Sequence, residues 1–153
     1  MRALELKVPP PIVALVLALL MWLTPAVAGL VQISYPARVL WAVVLVCVGQ
    51  GIGMAGMIAF RRAKTTVNPV KASLASSLVI RGVYRYTRNP MYLGLLLTLL
   101  AWAVFLANPL AVLWVVVYVL YITRFQIIPE ERVLASLFGA EYEAYKGKVR
   151  RWI

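Results

Sequence analysis

Four stretches of the chain are apolar almost without interruption: about Pro11 to Val31, Val39 to Phe60, Met91 to Ala107 and Leu110 to Ile128. A helix crossing the hydrocarbon core needs roughly 20 apolar residues, within a range of about 17–25, so each stretch predicts a transmembrane helix. The third is the shortest and meets the fourth at Asn108-Pro109, a dipeptide that favours a turn. These two therefore predict an antiparallel helical hairpin. Pro129 then predicts the start of a new helix, with Glu130 and Glu131 in its first turn, where carboxylates suit the helix dipole. Beyond it Leu134, Leu137, Phe138, Tyr142, Tyr145 and Val149 recur at spacings of three and four, flanked by Arg132, Glu141, Glu143 and Lys146. That pattern is one apolar face of an amphipathic helix lying on the membrane or capping the bundle. The expected fold is all-α, a single polytopic membrane domain over residues 1–153. It comprises two spans in 1–60, a basic loop in 61–89, a hairpin in 90–128 and a cytoplasmic helix in 129–153.

Composition agrees with the pattern. The chain is 63% hydrophobic, with a mean hydropathy of +0.87, whereas soluble domains are typically about 45–50% apolar. Arg2, Lys7 and the Ala26-Val27-Ala28 run before Gly29 also resemble a signal peptide. A polytopic chain needs its first span, however, and Pro25 reads as the residue that kinks or ends that helix.

The net charge of +11 gives the orientation. Arg61, Arg62, Lys64, Lys71, Arg81, Arg85 and Arg88 fall between the second and third stretches, and Lys146, Lys148, Arg150 and Arg151 lie in the tail. The connection Ser34–Arg38 has one cation and the Asn108 turn has none. The positive-inside bias therefore puts the long loop and both termini in the cytoplasm. Membrane headgroups attract such cations at about 1 kcal/mol each. The charge needs no nucleic acid to explain it, and no nucleic-acid motif is visible.

The absence of histidine and the single cysteine, Cys47, exclude a Ser-His-Asp arrangement and most zinc or iron chemistry. Cys47 reads as a small core hydrophobe. Gly49, Gly51, Gly53 and Gly56 resemble a phosphate loop only superficially, because their surroundings are apolar. Small residues in a spanning helix predict close helix packing, with room for a ligand near Gln50 as the alternative.

No acidic residue occurs between Leu6 and Pro129, after which Glu130 and Glu131 come together. Tyr84, Arg85, Tyr86, Arg88, Asn89 and Tyr92 crowd the entry to the third stretch. An interfacial belt accounts for these residue types, with Asn89 as N-cap and Pro90 at the first helical position. It leaves unexplained why Arg88 stands beside a helix start whose free amides already favour anions. A straight hairpin returns the glutamate pair to the same membrane face.

Gly82-x-Tyr84, Arg88-Asn-Pro-x-Tyr92-x-Gly94, Glu130-Glu131-x-x-Leu134, Phe138-Gly139-x-x-Tyr142-x-x-Tyr145 and Val149-x-Arg151 together resemble the isoprenylcysteine carboxyl methyltransferase and phospholipid methyltransferase superfamily. The resemblance covers about Thr65 to Ile153. It implies an S-adenosylmethionine-dependent membrane methyltransferase with Gly82, Tyr84, Asn89, Pro90, Tyr92, Gly94, Glu130 and Glu131 at the cofactor. Arg88 and Glu130 would be catalytic, and Arg88, Arg124 and Tyr142 would meet a lipophilic acceptor drawn from the bilayer. Asn89 replaces a frequent histidine and Val83 a frequent proline, which leaves the acceptor open. A carboxylate or thiolate acceptor needs no general base, so an isoprenylcysteine-like carboxylate is expected ahead of a phospholipid amine. A small thiol is a further alternative. A four-span transporter would need an ionisable group inside the membrane, and none of the stretches holds a carboxylate. A structural or assembly subunit would need only the aromatic belts and the tail.

Overall fold

The computed structural model describes residues 5–25, 33–63 and 77–153, and every regular element among them is helical. Residues 64–76 of the basic loop, and the Ala26–Gly29 run that resembles a cleavage site, lie outside the described residues.

Helix α1 covers Pro10–Leu23. Thr24 turns extended (ψ 123), as the residue before a proline prefers, and its hydroxyl donates to Leu20 O at 2.7 Å. The helix thus ends at Leu23, just before Pro25, and the rest of the apolar stretch to Val31 lies outside the described residues. Its 14 residues fall short of a straight crossing.

Helix α2, Tyr35–Arg62, is 28 residues long and packs mainly on α3, Pro90–Leu106. Glycine permits that contact. A Cβ on Gly49 would stand 2.8 Å from Gly94 O, one on Gly94 would stand 2.5 Å from Gly49 O, and one on Gly56 would stand 2.9 Å from Pro90 Cγ. Gly51 and Gly53 face open space, so only part of the glycine stripe serves packing. Gln50 Nε2 donates to Thr98 Oγ1 at 3.0 Å, which engages the polar group that the sequence left free for a ligand.

The turn expected at Asn108-Pro109 joins α3 to α4, Ala111–Ile122. Asn108 is buried, and its Nδ2 donates to Thr24 O at 3.1 Å while its Oδ1 accepts from Leu110 N at 3.1 Å. The hairpin end is thereby pinned to the end of α1. Met21, Leu99, Ala111, Tyr118 and Ile122 fill the core between α1, α3 and α4.

Pro129 does not open a separate helix. The spiral runs from Ala111 to Lys148, 38 residues, through one π turn at Thr123–Ile127 into α5, Ile128–Lys148. At the π turn the Ile128 N–H reaches back to Thr123 O. A proline inside an α-helix removes a donor and crowds the carbonyl four residues earlier, and a widened turn relieves both. A second irregularity follows at Gly139 (φ 47, ψ −121), a backbone that glycine alone adopts readily. Tyr142, Tyr145 and Val149 still bury together against Leu78, Leu134 and Phe138. The kink breaks the single straight face expected of the tail, and Leu137 is exposed.

α2 and the Ala111–Lys148 helix are each long and apolar enough to cross a membrane, while α1 and α3 are shorter. Leu15, Trp22, Leu40, Trp41, Leu113 and Leu120 point outward with most of their surface uncovered. Such a surface suits lipid and not water.

Candidate active site

The candidate site forms where the chain enters α3, where α5 begins, and where the segment after α5 crosses between them. A short 3-10 turn, Gly82–Arg85, starts at Gly82 with φ 63. It buries Tyr84 edge-on to Phe60, with ring centres 5.4 Å apart. Tyr145 Oη donates to the Tyr84 carbonyl at 2.7 Å and so ties this turn to α5. Next, Arg88 N donates to Arg150 O at 3.1 Å, and Asn89 Nδ2 donates to Arg151 O at 2.9 Å. Asn89 occupies the N-cap position, but its side chain makes no capping bond. It holds the segment after α5 in place instead.

That segment delivers Arg151 to Glu131. Arg151 Nε and Nη2 donate to the two carboxylate oxygens at 3.0 and 2.7 Å. Arg88 Nη2 reaches Glu131 Oε1 at 3.1 Å from the other side. Glu131 is 14% exposed and Arg88 11%, so their pair is largely shielded from water, whereas Arg151 is 36% exposed. The Arg151 cation is held above its usual pKa, chiefly by its bond to Glu131.

Glu130 faces a different neighbour. Tyr92 Oη donates to Glu130 Oε1, while Tyr118 Oη donates to the Tyr92 carbonyl at 3.2 Å. Withdrawal from water pushes the Glu130 carboxyl up to about 7; the Tyr92 bond opposes this, and the adjacent Glu131 charge adds to it. Burial likewise raises the phenols of Tyr84 and Tyr142, and that of Tyr145 to about 12. The Arg88 cation pulls the last two back, which puts Arg88 beside the α5 tyrosines. Two guanidiniums thus share Glu131, while Glu130 is only part-ionised near neutrality, so the corner carries net positive charge. Nε and Nη1 of Arg88 are buried without a hydrogen-bond partner among the described residues. Buried donors are rarely left so, and here they point to an anion.

An apolar groove of about 530 Å³ lies between α1 and α2, with α3 as its floor. Leu15, Val43, Val46, Leu95, Thr98 and Trp102 are among its walls. Leu95, the groove residue nearest the corner along α3, lies about one helical turn beyond Tyr92.

The phospholipid methyltransferase family model matches residues 37–141, which include most of α2, all of α3 and α4, and the glutamate pair. The chain belongs to the phospholipid methyltransferase family. A Haemophilus influenzae protein is 57% identical over 63 residues, covering 41% of this chain and 100% of that protein, and its name states no activity. The Oryza sativa subsp. indica protein named "Probable protein-S-isoprenylcysteine O-methyltransferase" is 35% identical over 109 residues, or 69% of this chain and 56% of the rice protein. "Protein-S-isoprenylcysteine O-methyltransferase A" of Arabidopsis thaliana is 32% identical over 141 residues, 89% of this chain and 69% of that protein. The chain thus spans just over half the length of the rice relative. No solved structure matches.

Within this family member the structure gathers Arg88, Asn89, Pro90, Tyr92, Glu130, Glu131 and Tyr142 around one corner, with Tyr84 joined through Tyr145. Gly94 lies at the crossing with Gly49. Gly82 shapes the turn before the site and has open space around it. Arg124 is engaged elsewhere, with its Nη1 3.0 Å from Glu5 Oε1. The tail pattern and the resemblance name Tyr145, Arg150 and Arg151 but not what they do here, since nothing local shows that a main-chain carbonyl will be the partner. Thr87, whose hydroxyl accepts from Asn89 N at 3.1 Å, has no such signal in the sequence.

Proposed function

We propose that this chain is an S-adenosylmethionine-dependent methyltransferase acting on a lipophilic acceptor with an anionic end, of the isoprenylcysteine-carboxylate kind. The observation that carries the reading is the pair of buried Arg88 nitrogens without a partner among the described residues, in a polar corner at the start of the helix, α3, that further along floors an apolar groove. The residues fit the cofactor's charges. Glu130 suits its cationic part and the Tyr92–Glu130 pair its hydroxyls, which leaves Arg88 for the anionic end of the acceptor. When bound, S-adenosylmethionine supplies an electrophilic methyl group and a neutral thioether leaving group.

The protein's share is alignment. Arg88 keeps Nη2 on Glu131 and has an N–H left to donate to an acceptor carboxylate. Glu131, held by both arginines, fixes the Arg88 plane. The α3 floor and the flanking α1 and α2 walls take the acceptor's hydrocarbon chain and keep water away. The basic cluster between α2 and α3 supports an orientation with both termini and this corner in the cytoplasm, and a multi-pass arrangement built from α1 to α4. A second reading has an observation of its own. Glu130, near neutrality and bonded to Tyr92, is suited to take the proton from an ammonium acceptor such as a phospholipid amine.

The deciding experiment titrates S-adenosylmethionine and its demethylated product into the purified protein. Labelled methyl transfer is then followed into a farnesylcysteine analogue, phosphatidylethanolamine and a small thiol. Micromolar binding and transfer to the farnesylcysteine carboxylate are expected. Failure to bind at millimolar cofactor overturns the proposal, and transfer to the amine alone selects the second reading.

A further inference from the structure

The π turn between α4 and α5 is tied down by chain that lies outside every motif residue. Pro129 has no N–H to give the carbonyl four residues back, that of Phe125. The Leu6 N–H takes that place, donating to Phe125 O at 3.0 Å. Leu6 does so with φ 58, a left-handed backbone that residues with a side chain adopt only when their surroundings hold them. Its neighbours supply the hold. Glu5 Oε1 accepts from Arg124 at 3.0 Å and Glu5 Oε2 from Arg132 at 2.7 Å. Val8 O accepts from the buried Gln126 Nε2 at 2.7 Å. Arg124 lies within the π turn and Arg132 beyond it, so one carboxylate bridges the irregular turn and the start of α5. Only 13% of the Glu5 side chain remains exposed. Elsewhere on the same turn, Trp152 Nε1 donates to Thr123 Oγ1 at 3.2 Å.

One residue added to an α-helix rotates everything after it by roughly 100°. Ile128, Pro129, Glu130 and Glu131 follow this turn. Whether Glu130 meets Tyr92, and Glu131 meets Arg88, therefore depends on the turn keeping its widened form. An acid five residues into the chain, far from the motif in sequence, is in position to decide that.

We propose that Glu5 is a positioning residue for the site: by bridging Arg124 and Arg132 it seats Leu6 on the carbonyl that Pro129 cannot serve, and so sets the rotation of the Glu130–Glu131 pair. The proposal rests on the reading of that corner as the methyl donor's site. A simple surface ion pair would leave the corner untouched when removed, whereas a positioning residue transmits its loss to Glu130.

The test uses the full chain in lipid nanodiscs and compares wild type, Glu5→Gln, the triple exchange Glu5→Arg/Arg124→Glu/Arg132→Glu, and Glu143→Gln. The last removes the exposed Glu143–Lys146 pair and serves as control. Amide hydrogen exchange over residues 125–131 reads the turn without reference to activity, and the KM for S-adenosylmethionine reads the site. Glu5→Gln is expected to speed exchange in that segment at least tenfold and raise the donor KM about fivefold or more, with the acceptor KM unchanged. The triple exchange should recover most of both, and Glu143→Gln should change neither. Wild-type exchange in Glu5→Gln overturns the proposal, as does faster exchange with an unchanged donor KM. If the wild-type chain binds no S-adenosylmethionine, the methyl-donor reading fails, and the exchange data alone then decide whether Glu5 holds the turn.

Discussion

Replacing Glu131 by glutamine should damage the fold more than the binding chemistry, which a motif alone would not suggest. The substitution removes the charge that two arginines share through contacts of 3.1, 3.0 and 2.7 Å. Arg88 is 11% exposed and would be left with no anion at all. Breaking one side of a buried pair costs about 3–5 kcal/mol, while screened pairs contribute only about 0–1 kcal/mol. Arg151, 36% exposed, belongs nearer the second class, and the glutamine oxygen can still accept one bond. The expected loss is therefore about 2–4 kcal/mol, or roughly 5–15 °C in melting midpoint at about 2–4 °C per kcal/mol. The assay is a thermal melt of wild type, Glu131→Gln and Glu130→Gln in one detergent, with titration of S-adenosylhomocysteine at a temperature where all are folded. Glu130→Gln removes no cation's partner, so it should not melt below wild type, and it should lose affinity. A Glu131→Gln protein that melts like wild type but no longer binds would refute the reasoning, since Glu131 would then face the cofactor and not the arginines.

Other consequences are open to measurement. Because the Glu130 carboxyl is raised from 4.5 to about 7, the folded chain holds a proton that the unfolded chain releases earlier. Its stabilising share is complete below about pH 4.5 and is lost as pH rises through 7. Glu130→Gln should flatten the fall in melting midpoint between pH 5 and 8, and an unchanged slope would locate the titration elsewhere. Gly49→Ala should cost about 1–3 kcal/mol by forcing α2 off the Gly94 carbonyl. Gly51→Ala, with open space around it, should leave the melt unchanged; equal effects would sink the packing account. In a Cys47→Ala background, an impermeant thiol reagent should label Leu110→Cys from outside intact cells and Tyr86→Cys only after the membrane is opened. The opposite pattern would overturn the proposed cytoplasmic placement of the corner.

Some of this architecture was readable in the residues and some was not, and the division has a physical cause. The apolar stretches, the Asn108 turn and the helix stop at Pro25 depend on local chemistry, so composition and single residues report them. The Gly49 and Gly56 contacts were legible for the same reason, because close approach in lipid has few other solutions. Pro129 shows the opposite case. Its local meaning, a fresh helix start, is overridden by a donor from Leu6, a residue whose role no spacing rule connects to Phe125. The kink at Gly139 was equally hidden, since a glycine within an apolar periodicity looks the same whether or not its φ is positive.

Glu130 and Glu131 carry the same point into the chemistry. As neighbours in sequence they look like one feature, a doubled carboxylate for one cationic ligand. On a helix, adjacent residues point roughly 100° apart, so they cannot serve one partner equally. The turn before them directs Glu131 to Arg88 and Arg151 and Glu130 to Tyr92. Neutralised on one side, the pair leaves Arg88 with an N–H for an incoming anion. Kept close to half-ionised on the other, it leaves Glu130 able to hold a cation or accept a proton. The proposed function, a zwitterionic donor beside an anionic acceptor, needs both properties, and that reading draws them from two residues of one type separated by a single helical step.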